Sequence, residues 1–163
     1  MLLPELRGRP IEIRFVRGLR DRRGPAHGGA FVRERRIHLD AALRRRRGEL
    51  ARIFVHEIFH FAWVRLGNAR RRAWEALLAA EFASGAAGEL GWSAEGRKQA
   101  LRARDRAGRT RRWREYCCES FCDTAACLFA GVAQHPEFTL ASRYRARRRA
   151  WFERCGAARA ISI

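Results

Sequence analysis

The feature that most constrains the fold is a nearly unbroken apolar run over residues 53–64. Its length and the glycine that follows Leu66 predict an α-helix from Glu49 to Leu66. Because such a helix is hydrophobic on all sides, we expect it to be buried on all sides. The interior of the run nevertheless contains three polar side chains, His56, Glu57 and His60. Buried polar groups must be hydrogen-bonded, bound to a metal or used chemically.

These three residues form an H-E-x-x-H sequence. On a helix, the imidazoles of His56 and His60 project from one face, one turn apart, and can bind a single Zn²⁺. Glu57 is offset by one residue and lies beside the metal, where a general base takes a proton from a metal-activated water. The alternative interpretation is that the two histidines are hydrogen-bonded residues of a buried core helix.

A catalytic zinc site needs a third protein ligand, and Glu119 is the candidate. It lies on a second apolar helix, predicted from Trp113 to Phe129. Asp123 follows one turn later on the same face and is expected to accept the other ring N–H of a ligating histidine. The alternative is that Glu119 belongs to an ordinary first helical turn and that Asp123 faces solvent.

Taken together, the H-E-x-x-H sequence and Glu119-x-x-x-Asp123 resemble the gluzincin group of zinc metallopeptidases. The segment from Gly29 to Asp40 is similar to the edge strand that precedes the active-site helix in small bacterial members of the ImmA/IrrE type. The resemblance implies a zincin-like peptidase with Zn²⁺ as cofactor and a peptide or protein substrate bound along the edge strand near residues 30–40. It also implies the residue roles: zinc ligands His56, His60 and Glu119, general base Glu57, and Asp123 as hydrogen-bond partner of a ligand.

Members of this family usually have a tyrosine or histidine that stabilises the oxyanion of the tetrahedral intermediate. No motif identifies that donor in this chain. The candidates are Tyr116, His135 and Tyr144.

The cysteines are concentrated in one place. Four of the five fall on the second apolar helix: Cys117, Cys118, Cys122 and Cys127. Pairing within one helix is geometrically poor, so we expect reduced thiols in a cytoplasmic protein. Cys118 and Cys122 are four residues apart, which leaves open a structural zinc site made of these thiolates and the two histidines. Buried helical cysteines are more often small hydrophobic residues.

The chain has 35 Lys and Arg against 17 Asp and Glu, a formal net charge of +18. This charge predicts non-specific attraction to polyanions. The alternative function is therefore a non-catalytic zincin-fold regulatory protein that binds nucleic acid or an acidic partner through its arginines. No apolar run approaches the roughly 18–20 residues of a membrane span, and no signal peptide is apparent, so we expect a cytoplasmic protein without membrane contact.

The overall expectation is a single α+β domain over residues 1–163, with a small N-terminal sheet packed on the H-E-x-x-H helix and further helices after it. Strand and cap signals predict extended segments at Ile11–Val16, Ala30–Arg35 and Arg36–Asp40, with Asp40 capping a short helix. A helical insertion is expected at about 67–114. Within and after it, the predicted segments are a helix at Ala69–Ala83, a break at Ser84–Gly96, an exposed helix or mobile stretch at Arg97–Arg114, and a last helix at Phe138–Cys155.

Overall fold

The computed structural model describes residues 2–21 and 24–163. Within these ranges the chain has an α+β fold with short strands and six α-helices. The elements in chain order are β1 (Glu5–Arg7), β2 (Glu12–Val16), β3 (Arg20–Asp21), β4 (Gly24–Pro25), β5 (Gly28–Phe31), β6 (Arg36–Asp40), a 3-10 helix (Ala41–Arg45), α1 (Arg47–Arg65), α2 (Asn68–Ala83), α3 (Trp92–Gln99), α4 (Ala103–Ala107), α5 (Arg111–Phe129), α6 (Ser142–Arg154) and β7 (Ala160–Ser162).

The small sheet has the strand order β2-β6-β5, in which β6 pairs parallel with β2 and antiparallel with β5. Ile37 and Leu39 of β6 alternate with more exposed residues and are buried, as their period-two spacing predicts. The predicted strand Ala30–Arg35 is wrong in its range. The strand is β5, and residues 32–35 form a turn that ends at Arg35 with a φ of 51°. The edge strand that was expected near residues 30–40 is therefore β5 alone, because β6 lies between β2 and β5 and is paired on both sides.

Helix α1 packs against α5, and these two helices supply many of the buried side chains of the core. Phe59 stacks on Phe129, and Phe121 of α5 stacks on Phe152 of α6. As the apolar run predicts, α1 is buried over most of its circumference, although Val64 near its end is 45% exposed. The Asp40 side chain caps the 3-10 helix by accepting from the Ala42 N–H at 2.8 Å.

The stretch between α2 and α5 differs from its prediction. The expected break at Ser84–Gly96 contains the start of α3, and the expected exposed or mobile stretch at Arg97–Arg114 contains the end of α3, then α4 and the start of α5. Helix α3 packs on α5 and buries Ala94 completely. The sequence pattern missed α3 because its first turn is fixed by carboxylates from distant parts of the chain, as described below.

The last helix is also shorter than predicted, since α6 begins at Ser142 and residues 138–141 precede it as irregular chain. Phe138 and Leu140 of that segment pack with Leu90 and Tyr144 in a small second core. The pairing of β1 with β7, which joins the two ends of the chain in parallel, was not predicted. None of the helices in the described part of the chain is long and apolar enough to cross a membrane.

A buried ion-pair network joins α6 to α2 and to the segment between α2 and α3. Arg148 is completely buried and donates to the carboxylates of Glu81 and Glu89, with its shortest contacts at 2.6 Å. Tyr116 donates to Glu89 at 2.5 Å, and Lys98 lies 3.5 Å from the same carboxylate. Because removing one partner would leave a buried charge uncompensated, this network fixes the relative positions of the helices.

Candidate metal centre

Side chains from α1 and α5 converge on one point between the two helices. His56 Nε2 lies 3.2 Å from His60 Nε2 and 3.3 Å from Glu119 Oε2, and His60 Nε2 lies 4.0 Å from the same carboxylate oxygen. Two ligand atoms that bind a tetrahedral zinc ion at about 2.0–2.1 Å are about 3.3 Å apart. Two of the three separations therefore match the edge of a zinc coordination tetrahedron, and the third is about 0.7 Å longer.

The other ring nitrogen of His56 is held by Asp123. His56 Nδ1 lies 2.7 Å from Asp123 Oδ1, and both side chains are buried. Because an ionised carboxylate only accepts hydrogen bonds, the ring carries a proton on Nδ1, and Nε2 is the nitrogen that faces the converging ligand atoms. Asp123 thus has the contact that the sequence analysis expected of it.

Asp123 also fixes α3, through its second oxygen. Asp123 Oδ2 accepts from the Ala94 N–H at 2.9 Å, in the first turn of α3. A Cβ on Gly91, just before this helix, would lie 2.2–2.4 Å from the Asp123 carboxylate, so no larger residue fits there unless Asp123 moves. The Trp92 N–H donates to Glu137 at 2.8 Å. Two buried carboxylates therefore hold the first turn of α3 against the candidate site.

Helix α3 brings to the site a residue that no sequence pattern identified. Arg97 lies 2.9 Å from Glu119 Oε1, which leaves Oε2 to face the histidines. The available signal was weak, because one arginine among many carries no distinguishing pattern. The helix that positions it begins at Trp92, inside the segment that was predicted to be a break.

Glu57 lies outside the group of converging ligand atoms but beside it. Its buried side chain lines a cleft of about 310 Å³, together with His27, Arg52, His56 and Trp92. Strand β5 forms part of the cleft wall at Gly28, where an added Cβ would lie 2.7 Å from Glu57 Oε1. Burial raises the pKa of the Glu57 carboxyl above its ordinary value, which makes it a stronger base.

The charges of the group are strongly coupled. Burial lowers the pKa of His60, but Cys118 and Glu119 outweigh burial and raise it to about 9. In the same way, Asp123 and Glu119 hold the pKa of His56 well above its ordinary value, against burial. Burial raises the pKa of Glu119, whereas its contacts with the two histidines lower it to about 2. A bound metal would have to displace the histidine protons, so affinity for metal should rise with pH.

Two thiols of α5 lie near His60, on the side of its ring opposite to the group with His56 and Glu119. Cys118 Sγ lies 3.5 Å from His60 Nδ1, and the Sγ of buried Cys122 completes a second group whose ligand atoms lie within 4.8 Å of one another. Hydrogen bonding from Cys122 and from His60 lowers the pKa of Cys118 to about 6, although burial opposes it. Among the described residues, this group contains His60 but not His56. The alternative of one site with both histidines and both thiols is thus not the grouping observed.

The three candidate oxyanion donors have partners elsewhere. Tyr116 donates to Glu89, Tyr144 donates to the Ser84 carbonyl at 3.0 Å, and His135 Nε2 lies 2.5 Å from a carboxylate oxygen of Glu49. In the part of the chain that the structure describes, the cleft wall includes none of the three.

The arginines are spread over several surfaces. One surface cavity, of about 470 Å³, has four arginines in its wall. It is lined by Trp63, Asn68, Arg71, Arg72, Glu75, Arg109 and Arg114. Arg109 forms an ion pair with Glu75 there, at 2.5 Å, so part of the positive charge is internally balanced.

Comparisons with protein-family models, with curated proteins and with solved structures gave no match. The geometry of the site is therefore the basis for the function proposed below.

Proposed function

We propose that this protein is a zinc-dependent metallopeptidase of the gluzincin type with a zincin-like fold. The observation that carries the proposal is the spacing of the three ligand atoms from His56, His60 and Glu119, at 3.2, 3.3 and 4.0 Å. A protein that used these residues only for packing would not need to bring two imidazole nitrogens and a carboxylate oxygen to one point.

The donor set fits zinc in its chemistry as well as in its spacing. Two imidazoles and one carboxylate are the ligands of catalytic zinc in the peptidases that use two histidines and a glutamate, and three protein ligands leave a position for water or substrate. When bound, the ion would lower the pKa of water and polarise the substrate carbonyl. Asp123 would keep the His56 ring oriented, and Arg97 would hold the second oxygen of Glu119.

Glu57 supports the assignment of a reaction. Its carboxylate lines the cleft next to His56 yet is not one of the converging atoms, as a general base requires. Glu57 would take a proton from the attacking water and then deliver it to the leaving amine. The raised pKa of Glu57 favours both transfers, because a carboxyl whose pKa is closer to neutral pH both accepts and releases a proton more readily there.

Strand β5 supports a peptide as the substrate. It is an edge strand that pairs only with β6 in the three-stranded sheet, and it passes beside Glu57 at Gly28. An extended peptide can add to such an edge through main-chain hydrogen bonds. A substrate strand on β5 would place a scissile bond near the cleft that contains Glu57.

The test measures zinc content and hydrolysis together. Purified protein is loaded with Zn²⁺, dialysed and incubated with denatured casein and with a mixed-sequence peptide library, and products are identified by mass spectrometry. We expect about one zinc per chain, and loss of hydrolysis by a factor on the order of 10²–10⁴ in Glu57→Gln with zinc retained. Glu119→Gln should lose zinc. The matched control is Glu115→Gln, since Glu115 lies one turn earlier on α5 and its side chain is 43% exposed.

Zinc that binds equally to Glu119→Gln, or hydrolysis that is unchanged in Glu57→Gln, would contradict the proposal. The alternative is a non-catalytic protein that binds nucleic acid or an acidic partner through its arginines. It predicts no hydrolysis, indifference to Glu57→Gln, and binding of a labelled RNA that weakens steeply with salt.

A further inference from the structure

His60 presents its two ring nitrogens to two different sets of donors. On one side, Nε2 faces His56 and Glu119, the proposed zinc ligands. On the other side, Nδ1 faces the sulfur of Cys118, and Cys122 lies with it. The proposed peptidase site uses only the first side, which leaves the second set of atoms without a role.

The spacing of the second set also suits a metal. A zinc–sulfur bond is about 2.3 Å and a zinc–nitrogen bond about 2.0 Å, so a thiolate sulfur and an imidazole nitrogen on one tetrahedral ion are about 3.5 Å apart. The observed distance from Cys118 Sγ to His60 Nδ1 is 3.5 Å. The sulfur of Cys122 lies within 4.8 Å of Cys118 Sγ and of a ring nitrogen of His60.

Packing alone does not account for this arrangement. Burial does not distinguish these thiols, because Cys117 and Cys122 are both completely buried and burial raises the pKa of each. Position does: Cys118 and Cys122 lie on the face of α5 that meets His60, at the same four-residue spacing as the two histidines of α1. Two sulfurs and a nitrogen are a soft donor set, which selects thiophilic ions.

We propose that Cys118, Cys122 and His60 Nδ1 form a second metal site, for a soft thiophilic ion such as Cd²⁺ or Cu⁺, that competes with the proposed zinc centre for the ring of His60. A neutral imidazole carries one proton and has one nitrogen available to a metal. An ion held by the thiolates through Nδ1 therefore requires the ring proton on Nε2, which removes His60 from the first centre. The thiol protons are released to solvent when the ion binds. Thiophilic ions would thus inhibit the proposed peptidase.

The experiment uses Cd²⁺ as the probe, because Cd²⁺ bound to thiolate has a charge-transfer absorption in the ultraviolet. Zinc-loaded full-length protein is titrated with Cd²⁺ in a buffer with a non-thiol reductant, while a coloured chelator reports released zinc. We expect the thiolate band to saturate near one Cd²⁺ per chain, with release of zinc in parallel. The matched control is Cys127→Ser, because Cys127 lies on the same helix outside the group; it should behave as wild type.

Cys118→Ser and Cys122→Ser should each lose most of the thiolate band and weaken Cd²⁺ binding at least tenfold, with zinc still bound. A band of wild-type intensity in both variants would overturn the proposal. Zinc that stays fully bound while the band saturates would overturn the competition for His60. Glu119→Gln separates the two proposals: it should lose zinc and hydrolysis but keep the Cd²⁺ thiolate band, so failure of the peptidase assignment would leave this site intact.

Discussion

Gly28 is the position at which a single methyl group should most directly disturb the proposed chemistry. An alanine Cβ there would lie 2.7 Å from Glu57 Oε1 and 2.7 Å from Ile53 Cγ2. Ordinary contacts between carbon atoms are about 3.5–4.0 Å, so strand β5 or the Glu57 side chain must move by roughly 1 Å. Displacement of a catalytic group by 1 Å can reduce a rate by on the order of 10²-fold. We expect Gly28→Ala to lower kcat/KM by about that factor.

The control is the neighbouring glycine. A Cβ on Gly29 would meet only Phe31 Cε2, at 3.8 Å, which is an ordinary contact, so Gly29→Ala should keep nearly full activity. Zinc content should be unchanged in both variants, because neither position contacts a ligand. Hydrolysis is followed with a peptide identified in the library screen, and the free energy of unfolding is measured by urea denaturation. Equal activity of Gly28→Ala and Gly29→Ala would refute the assignment of Glu57 and β5 to the same catalytic cleft.

Three further predictions concern the hydrogen bond that orients His56 and two groups of buried charges. Asp123→Asn keeps the shape of the side chain but has one acceptor oxygen for two donors, the His56 ring and the Ala94 N–H, so zinc affinity should fall about 10–100-fold in a competition titration with a chelating dye. Arg148→Met leaves two buried glutamates without their guanidinium partner and should lower the free energy of unfolding by about 3–5 kcal/mol in urea. The depressed pKa of Glu119, about 2 against an ordinary 4.5, stabilises the fold above about pH 4.5. That contribution, on the order of 3 kcal/mol, should be lost as the pH falls from 4.5 to 2 in chelator-treated protein, and Glu119→Gln should lack it.

Each of these three has a matched control. Asp105→Asn changes another buried carboxylate that accepts from a helix-terminal amide, away from the candidate site, and should leave zinc affinity unchanged. Arg147→Met changes the exposed neighbour of Arg148 and should cost little. Glu115→Gln should keep the acid dependence of the wild type. Zinc affinity that is the same in Asp123→Asn as in Asp105→Asn would show that the His56 contact does not orient the ligand.

The apolar run of α1 and the period-two spacing of β6 could be read from the sequence because both depend on local order. The candidate site could also be predicted from the sequence, because its residues form two pairs, each four residues apart on one helix: His56 with His60, and Glu119 with Asp123. Contact between the two helix faces was the only further assumption. The distances within the group depend on how α1 and α5 pack, which no local pattern contains.

Helix α3 shows why the rest could not be predicted. Its sequence is short and polar, and its start is marked only by Gly91. What fixes it is two carboxylates, Asp123 and Glu137, that lie about 30 and 45 residues further along the chain. Arg97 could be assigned to the site only after this helix was placed. The proposed second metal site likewise depends on the fact that Cys118 faces Nδ1 of His60, and the sequence does not contain this information.

The double hydrogen bond of Asp123 has a consequence for how the chain would respond to a metal ion at the candidate centre. One carboxylate serves both the His56 ring and the first turn of α3, so a metal that immobilises His56 also disfavours opening of that turn. The free energy of metal binding would thereby be shared with a segment that does not contact the ion. Amide hydrogens of α3 should then exchange with solvent more slowly as metal is added, and residues 92–99 would report occupancy of the site from outside it.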